Sequence, residues 1–182
     1  MAIEKVNQSP LPFKGKLYTV VLGSAIILLS TTVPYLTLFN VFLFAGIFLA
    51  GTVALHHTIM RFQVRLTYNQ AFALGCLAGL VGGVVSEGVT YVLMELFNYR
   101  PGTESLALVI DWALEMSKGR PEIQQQVQAL VAAEKQALAP VKLSFVDILM
   151  NMLFSGAFYA PITGLGGAFA VLRLKRKASR GE

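Results

Sequence analysis

Charged side chains are scarce in this sequence. Asp, Glu, Lys and Arg make up 14% of its 182 residues, whereas about a quarter of the residues of an ordinary soluble domain are charged. From Leu17 to Met60 none of the four occurs, and hydrophobic residues make up 55% of the chain. The composition excludes an ordinary soluble domain and indicates an integral membrane protein, for which the lipid bilayer is the first partner.

Cysteine is almost absent, and the common sequence motifs of catalysis are missing. With Cys76 alone, the chain has no intrachain disulfide and no thiolate metal cluster. No GxSxG, HExxH or Walker motif occurs. His56 and His57 diverge in direction on a helix, and no Asp, Glu or Cys nearby completes a metal site, so we interpret them as interfacial residues. We therefore predict no enzymatic activity, no metal and no cofactor.

The positive charges flank the apolar runs. The net charge is +5, but the basic residues do not form the aromatic-interleaved patch that is typical of nucleic-acid binding, which we therefore exclude. The excess of Lys and Arg in the cytoplasmic segments of membrane proteins explains them better. Residues 1–16, the loop 61–65 and residues 173–182 are then cytoplasmic. We predict a multi-pass protein of the bacterial inner membrane with both termini in the cytoplasm.

The apolar runs predict an all-α integral membrane protein with four transmembrane helices. The chain is expected to reverse first near Pro34, because the residue before a proline is pushed out of the α region. Asn40, in span two, is either a buried interhelical hydrogen-bonding residue or part of the interfacial turn. The first three spans occupy 17–96, and the expected bounds of the four are about 17–33, 35–57, 69–96 and 144–172.

The segment 97–143 is more polar and predicts an extracytoplasmic amphipathic helical hairpin between spans three and four. Two stretches, 103–119 and 121–140, carry apolar residues at helical spacing and are separated by a glycine and a proline. The hairpin either folds over the outer ends of the spans or lies in the headgroup plane. Trp112, the only tryptophan, fits an interfacial position in both arrangements.

Small residues recur at every fourth position in spans three and four. This spacing places them on one helix face, where they allow two backbones to approach closely in lipid. We interpret five glycines as helix-packing residues: Gly75, Gly79 and Gly83 in span three, and Gly156 and Gly164 in span four.

The small-residue stripe of span three continues into Glu87 and Tyr91, and Asp147, Asn151 and Ser155 have the same spacing in span four. A carboxyl group inside a span is costly to expose to lipid, so Glu87 is expected to face protein or water. If the two spans pack together, Glu87 is within reach of Asn151 or Ser155. These five residues are then either a protonatable or ligand-binding site that opens outward, or a neutral Glu87 that makes a packing hydrogen bond.

Four stretches carry a resemblance that covers most of the chain: the basic loop 61–65, the sequence Tyr68-Asn69-Gln70-Ala71-Phe72, the charged helical segment 103–138, and the basic end 172–177. In this order they resemble a family of small bacterial membrane proteins known only as a domain of unknown function. Asn69 stands where the family pattern has a small residue. The resemblance implies a four-span fold and assigns no catalytic residue, because the family has no established activity.

Two functions are consistent with these features. The first is a non-enzymatic membrane scaffold or accessory subunit that packs against partner helices through the small-residue stripes, as a homo- or hetero-oligomer. The alternative is a small proton-linked carrier that uses Glu87, also as an oligomer. Copurification of a stable heteromeric partner would favour the first function. Ligand uptake that depends on Glu87 would favour the second.

Overall fold

The described part of the chain contains helices and no strand. The structure is a computed structural model and describes residues 11–41, 43–118, 126–129, 131–132 and 144–179. The predicted all-α class is therefore confirmed for these residues. The helices with defined bounds are α1 Phe13–Thr32, α2 Leu38–Val41, α3 Ala45–Phe62, α4 Tyr68–Phe97, α5 Thr103–Met116 and α6 Phe145–Ser179.

Three helices, α1, α4 and α6, are long and apolar enough to cross a membrane. They support a multi-pass membrane protein, as the composition indicates. A fourth helix, α3, lies in the same bundle but is not among the three. It has 18 residues, which include His56, His57 and Arg61, and these polar side chains lower its mean hydropathy.

The four long helices form an up-and-down bundle, in which α1 runs antiparallel to α3, and α4 runs antiparallel to α6. α1 contacts α3 and α4, and α6 contacts the same two helices, so α1 and α6 occupy opposite corners. The start of α1 meets the end of α3, where Thr19 Oγ1 donates a hydrogen bond to Thr58 Oγ1 at 2.9 Å. On the other side of the bundle, a Cβ atom on Gly51 of α3 would overlap the carbonyl oxygen of Thr163 in α6. The helix backbones are therefore in direct contact.

The first helical hairpin differs from its expected bounds. α1 begins at Phe13 rather than near residue 17, because the long side chains of Lys14 and Lys16 can reach the interface from within a helix. It ends at Thr32, and Val33 is extended before Pro34, as the proline requires. The predicted single helix over 35–57 is wrong.

A break divides that second segment. Leu43 and Phe44 have positive φ angles of 54° and 56°, so the short helix α2 is followed by a left-handed turn before α3 begins. Asn40 holds the break in place: its Nδ2 donates to Ser30 O at 2.9 Å, and its Oδ1 accepts a hydrogen bond from Ile47 N at 3.2 Å. Asn40 thus lies in the connection and also joins the ends of two helices.

The third and fourth long helices agree better with the sequence pattern. α4 spans Tyr68–Phe97, one residue longer at each end than expected, and starts with a capping box formed by Thr67 and Gln70. α6 spans Phe145–Ser179 with Pro161 inside it. The basic residues after 172, expected as a separate tail, therefore continue the helix, since Lys and Arg are good helix formers.

The segment between α4 and α6 contains the first arm of the predicted helical hairpin, α5. Ser105 and Ile110 are buried, and Ser105 Oγ hydrogen-bonds Thr37 Oγ1 in the connection after α1. α5 is thus attached to the end of the bundle at which α1 ends. Of the second arm, residues 126–129 and 131–132 are helical, and the rest of the predicted stretch 121–140 lies outside the described residues.

Most of the basic residues in the described ranges lie at one end of the bundle. The up-and-down order brings the start of α1, the end of α3, the start of α4 and the end of α6 to one end, here called the basic end. It carries Lys14, Lys16, Arg61, Arg65, Arg173, Lys175, Arg176 and Lys177. The acidic residues among those described lie in the other half of the bundle or beyond it: Glu87, Glu95, Glu104, Asp111, Glu115 and Asp147.

The glycines of α4 touch the backbone of α6. A Cβ atom on Gly75, Gly79 or Gly83 would lie 2.6 Å from a carbonyl oxygen of α6, too close for any side chain. The glycines of α6 meet α4 in return: a Cβ on Gly156 would lie 2.9 Å from Leu80 O, and one on Gly164 2.6 Å from Cys76 Sγ. These stripes are buried within the chain, so a partner helix would reach them only by displacing α4 or α6.

Gly83→Ala should destabilise the protein by about 1–3 kcal/mol, because the added methyl group meets backbone atoms of Ser155 and Gly156 that have no room to move. Gly88→Ala is the matched control. Its Cβ would meet only the flexible Met152 Cε, at 3.2 Å, and alanine favours the helix. The measurement is the free energy of unfolding in mixed detergent micelles. Equal losses for the two variants would contradict the contact.

Candidate functional site

Glu87 and Ser155 are joined across the α4–α6 interface. Ser155 Oγ donates a hydrogen bond to Glu87 Oε2 at 3.3 Å. One turn deeper, Gly83 lies against Gly156, and this close approach brings the two side chains within reach. Glu87 lies ten residues before the end of α4, and Ser155 ten residues after the start of α6. Both are therefore about 15 Å from the outer ends of their helices.

A small crevice lies beside this hydrogen bond. It has a volume of about 20 Å³ and is lined by Glu87, Thr90, Tyr91, Met94, Ile148 and Asn151. A cavity of this size holds about one water molecule. Tyr91 and Asn151 thus lie near Glu87, as their spacing predicts, but its hydrogen-bond partner among the described residues is Ser155. The crevice is too small for a substrate in this conformation.

Asp147, the fifth residue of the predicted polar site, caps a helix instead. Its Oδ2 accepts hydrogen bonds from Ser144 N at 2.9 Å and from Ser144 Oγ at 2.7 Å. Its own N–H donates to Ser144 Oγ at 3.2 Å. This reciprocal pair starts α6 and leaves Asp147 exposed. The pattern Ser-x-x-Asp before an apolar run is the sequence signal for this role.

Hydroxyl side chains that the sequence did not single out connect α1 and α3 to the other helices. Thr31 Oγ1 and Ser86 Oγ are 2.6 Å apart between α1 and α4. Ser24 Oγ of α1 donates to Ala78 O of α4 at 3.2 Å, and Thr52 Oγ1 of α3 donates to Gly166 O of α6 at 3.1 Å. No buried side-chain nitrogen or oxygen of the described residues lacks a partner. The sequence signal for these interhelical hydrogen bonds is the occurrence of Ser and Thr among small residues in apolar helices.

The histidine pair is divided between two environments. Tyr18 Oη and His57 Nδ1 are 3.0 Å apart, and the guanidinium carbon of Arg61 lies 4.7 Å from the centre of the Tyr18 ring. His56 is exposed. The described residues contain no group of three or more His, Cys, Asp or Glu side chains that could hold a metal ion.

No protein-family model, curated protein or solved structure matches this chain. The resemblance to the bacterial membrane family with no known function therefore stays a prediction.

Glu87→Ala and Ser155→Ala should be coupled in stability. The expected coupling energy is about 0.6 kcal/mol and at most about 1.7 kcal/mol, the range for interhelical hydrogen bonds in membrane proteins. A double-mutant cycle on the free energy of unfolding measures it. Ser24→Ala provides the control partner, because its hydroxyl bonds Ala78 O on a different face of α4. Coupling of Glu87→Ala to Ser24→Ala as large as that to Ser155→Ala would contradict the assignment.

Proposed function

We propose that this protein is a non-enzymatic integral membrane scaffold or accessory subunit. The observation that carries the proposal is the state of the buried polar groups. The buried side-chain nitrogens and oxygens of the described residues all have hydrogen-bond partners, and the crevice beside Glu87 measures about 20 Å³. Small-molecule sites occupy about 300–1,000 Å³ and have several convergent polar groups. The polar residues inside the helices are therefore suited to joining helices rather than to binding a substrate.

The surface that would contact a partner differs from the one the sequence suggested. The small-residue stripes pack α4 against α6, whereas α5 exposes apolar side chains four residues apart. Leu108, Trp112 and Met116 are 45%, 63% and 60% exposed. Tryptophan is among the residues that contribute most to binding at interfaces. We assign the partner contact to this row on the outer side, here called the α5 row.

The proposed topology has four spans in a bacterial inner membrane. They are the three long apolar helices and, in addition, α3. At 1.5 Å per residue, the 18 residues of α3 extend about 27 Å, close to the roughly 30 Å of the hydrocarbon core. Its packing against both α1 and α6 supports the same reading. The collection of basic residues at one end supports cytoplasmic termini by the positive-inside rule.

Cysteine labelling tests this topology. In a Cys76→Ala background, Asp111→Cys on α5 should react with a membrane-impermeant maleimide in intact cells. Ser179→Cys at the end of α6 should react only after the cells are broken. Both positions are exposed in the structure, so a difference between them reports the side of the membrane. The reverse pattern would show that the protein has the opposite orientation in the membrane. Labelling of both positions in intact cells would contradict the proposed number of spans.

Copurification tests the partner surface. The chain isolated from native membranes in mild detergent should retain a heteromeric partner, and Trp112→Ala with Met116→Ala should reduce its recovery about tenfold or more. Leu77→Ala with Leu165→Ala is the control, since these exposed residues lie on the sides of the bundle. Equal loss for the two pairs would contradict the role of the α5 row.

The alternative, a proton-linked carrier, is favoured by one observation: Glu87 is only half-buried and lines an open crevice in the outer half of the bundle. Glu87→Gln separates the two functions because it keeps an acceptor for Ser155 but does not titrate. A scaffold keeps its partner and its cellular phenotype with this substitution. If the protein is a carrier, the Glu87→Gln variant should fold normally and form a homo-oligomer but lose proton-linked uptake.

A further inference from the structure

A cavity of about 360 Å³ opens at the basic end between the loop after α3 and the last turns of α6. Its walls are mostly apolar and come from both elements. They consist of Ile59, Val64, Leu66, Val171, Leu174 and Ala178. Arg65 and Lys175 are the charged residues of its lining. The cavity thus combines an apolar trough with two cations.

Neither cation is neutralised by a carboxylate within the described ranges. Both side chains are exposed, and the salt bridge between Lys118 and Glu115 lies at the opposite end of the bundle. Lys175 Nζ stands 4.1 Å from the centre of the Tyr68 ring. This cation–π contact positions the ammonium group without cancelling its charge.

We propose that this cavity binds an anionic phospholipid from the membrane leaflet at the basic end. The phosphate would lie between the Arg65 guanidinium and the Lys175 ammonium, and an acyl chain would cover the apolar wall. Arginine binds phosphate oxygens through paired N–H groups, and basic pockets between membrane helices bind acidic lipid head groups.

Charge and apolarity together select this occupant. A soluble phosphate would use the two cations but leave the trough exposed, and an apolar helix would cover the trough but bury both charges without a counterion. A phospholipid satisfies both parts at once. The proposal does not depend on the function proposed above, because the cavity lies at the opposite end of the bundle from Glu87 and the α5 row.

Charge-removing variants test the head-group contact. The full chain in detergent is titrated with dioleoylphosphatidylglycerol, and with dioleoylphosphatidylcholine as the neutral lipid, and bound lipid is counted by native mass spectrometry. Arg65→Gln with Lys175→Gln should weaken phosphatidylglycerol binding about tenfold or more and leave phosphatidylcholine binding unchanged. Arg176→Gln with Lys177→Gln removes the same amount of charge from α6 outside the cavity and should change binding less than about twofold. Equal losses for both pairs would overturn the proposal.

A second pair of variants tests the acyl-chain contact with the charge intact. Ala178→Phe fills the trough and should lower phosphatidylglycerol binding about tenfold. Ala73→Phe fills the neighbouring apolar cavity between α1 and α4 and should leave it unchanged. All substituted side chains are exposed, so folding is expected to persist, and melting of each variant checks it. Glycerophosphoglycerol, the head group without chains, should compete poorly, and competition as effective as that of the whole lipid would overturn the proposal in favour of a soluble anion.

Discussion

Backbone contact between α4 and α6 is the constraint on which the rest of the fold depends. In lipid, apolar side chains gain little by leaving the solvent, so helices associate through close packing and hydrogen bonds. Gly75, Gly79 and Gly83 lie against carbonyl oxygens of α6, which leaves no room for a side chain between the two helices. The same approach sets the 3.3 Å distance between Ser155 Oγ and Glu87 Oε2. The polar site is thus a consequence of the glycine contact one turn deeper.

The remaining helices are held by many small contacts. Hydroxyl groups connect α1 to α3 and α4, and α3 to α6, and each bond satisfies a polar group that would be costly to leave unpaired in lipid. Bonds of this kind contribute about 0.6 kcal/mol each on average, so their number matters more than any single one. Because these polar side chains already hydrogen-bond to one another or to the backbone, few remain to bind or react with a substrate. This agrees with a structural role for the interior of the bundle.

The sequence predicted the fold where one local signal dominated. α4 lies within one residue of its expected bounds, because a long apolar run and small residues at every fourth position admit few alternatives. Ser155 was one of two partners expected for Glu87. The break at Leu43 and Phe44 was missed, since neither residue is one that favours a left-handed backbone. The hydroxyl contacts of Thr31 and Thr52 depend on which helices are neighbours, and a single helix pattern does not contain that information.

The length of α6 gives the basic end a fixed orientation. Its 35 residues extend about 52 Å, longer than the roughly 30 Å of a hydrocarbon core, and its last turns continue as one helix through the basic residues. A helix holds its side chains at fixed angles around its axis. Lys175 lies about 200° around the axis from Arg173, whereas Arg176 and Lys177 lie within about 60° of Arg173. Lys175 therefore lies on the side of α6 that contacts Tyr68, while the other three basic residues lie at least about 100° away from it around the axis. The order of the basic residues thus decides which of them lines the cavity.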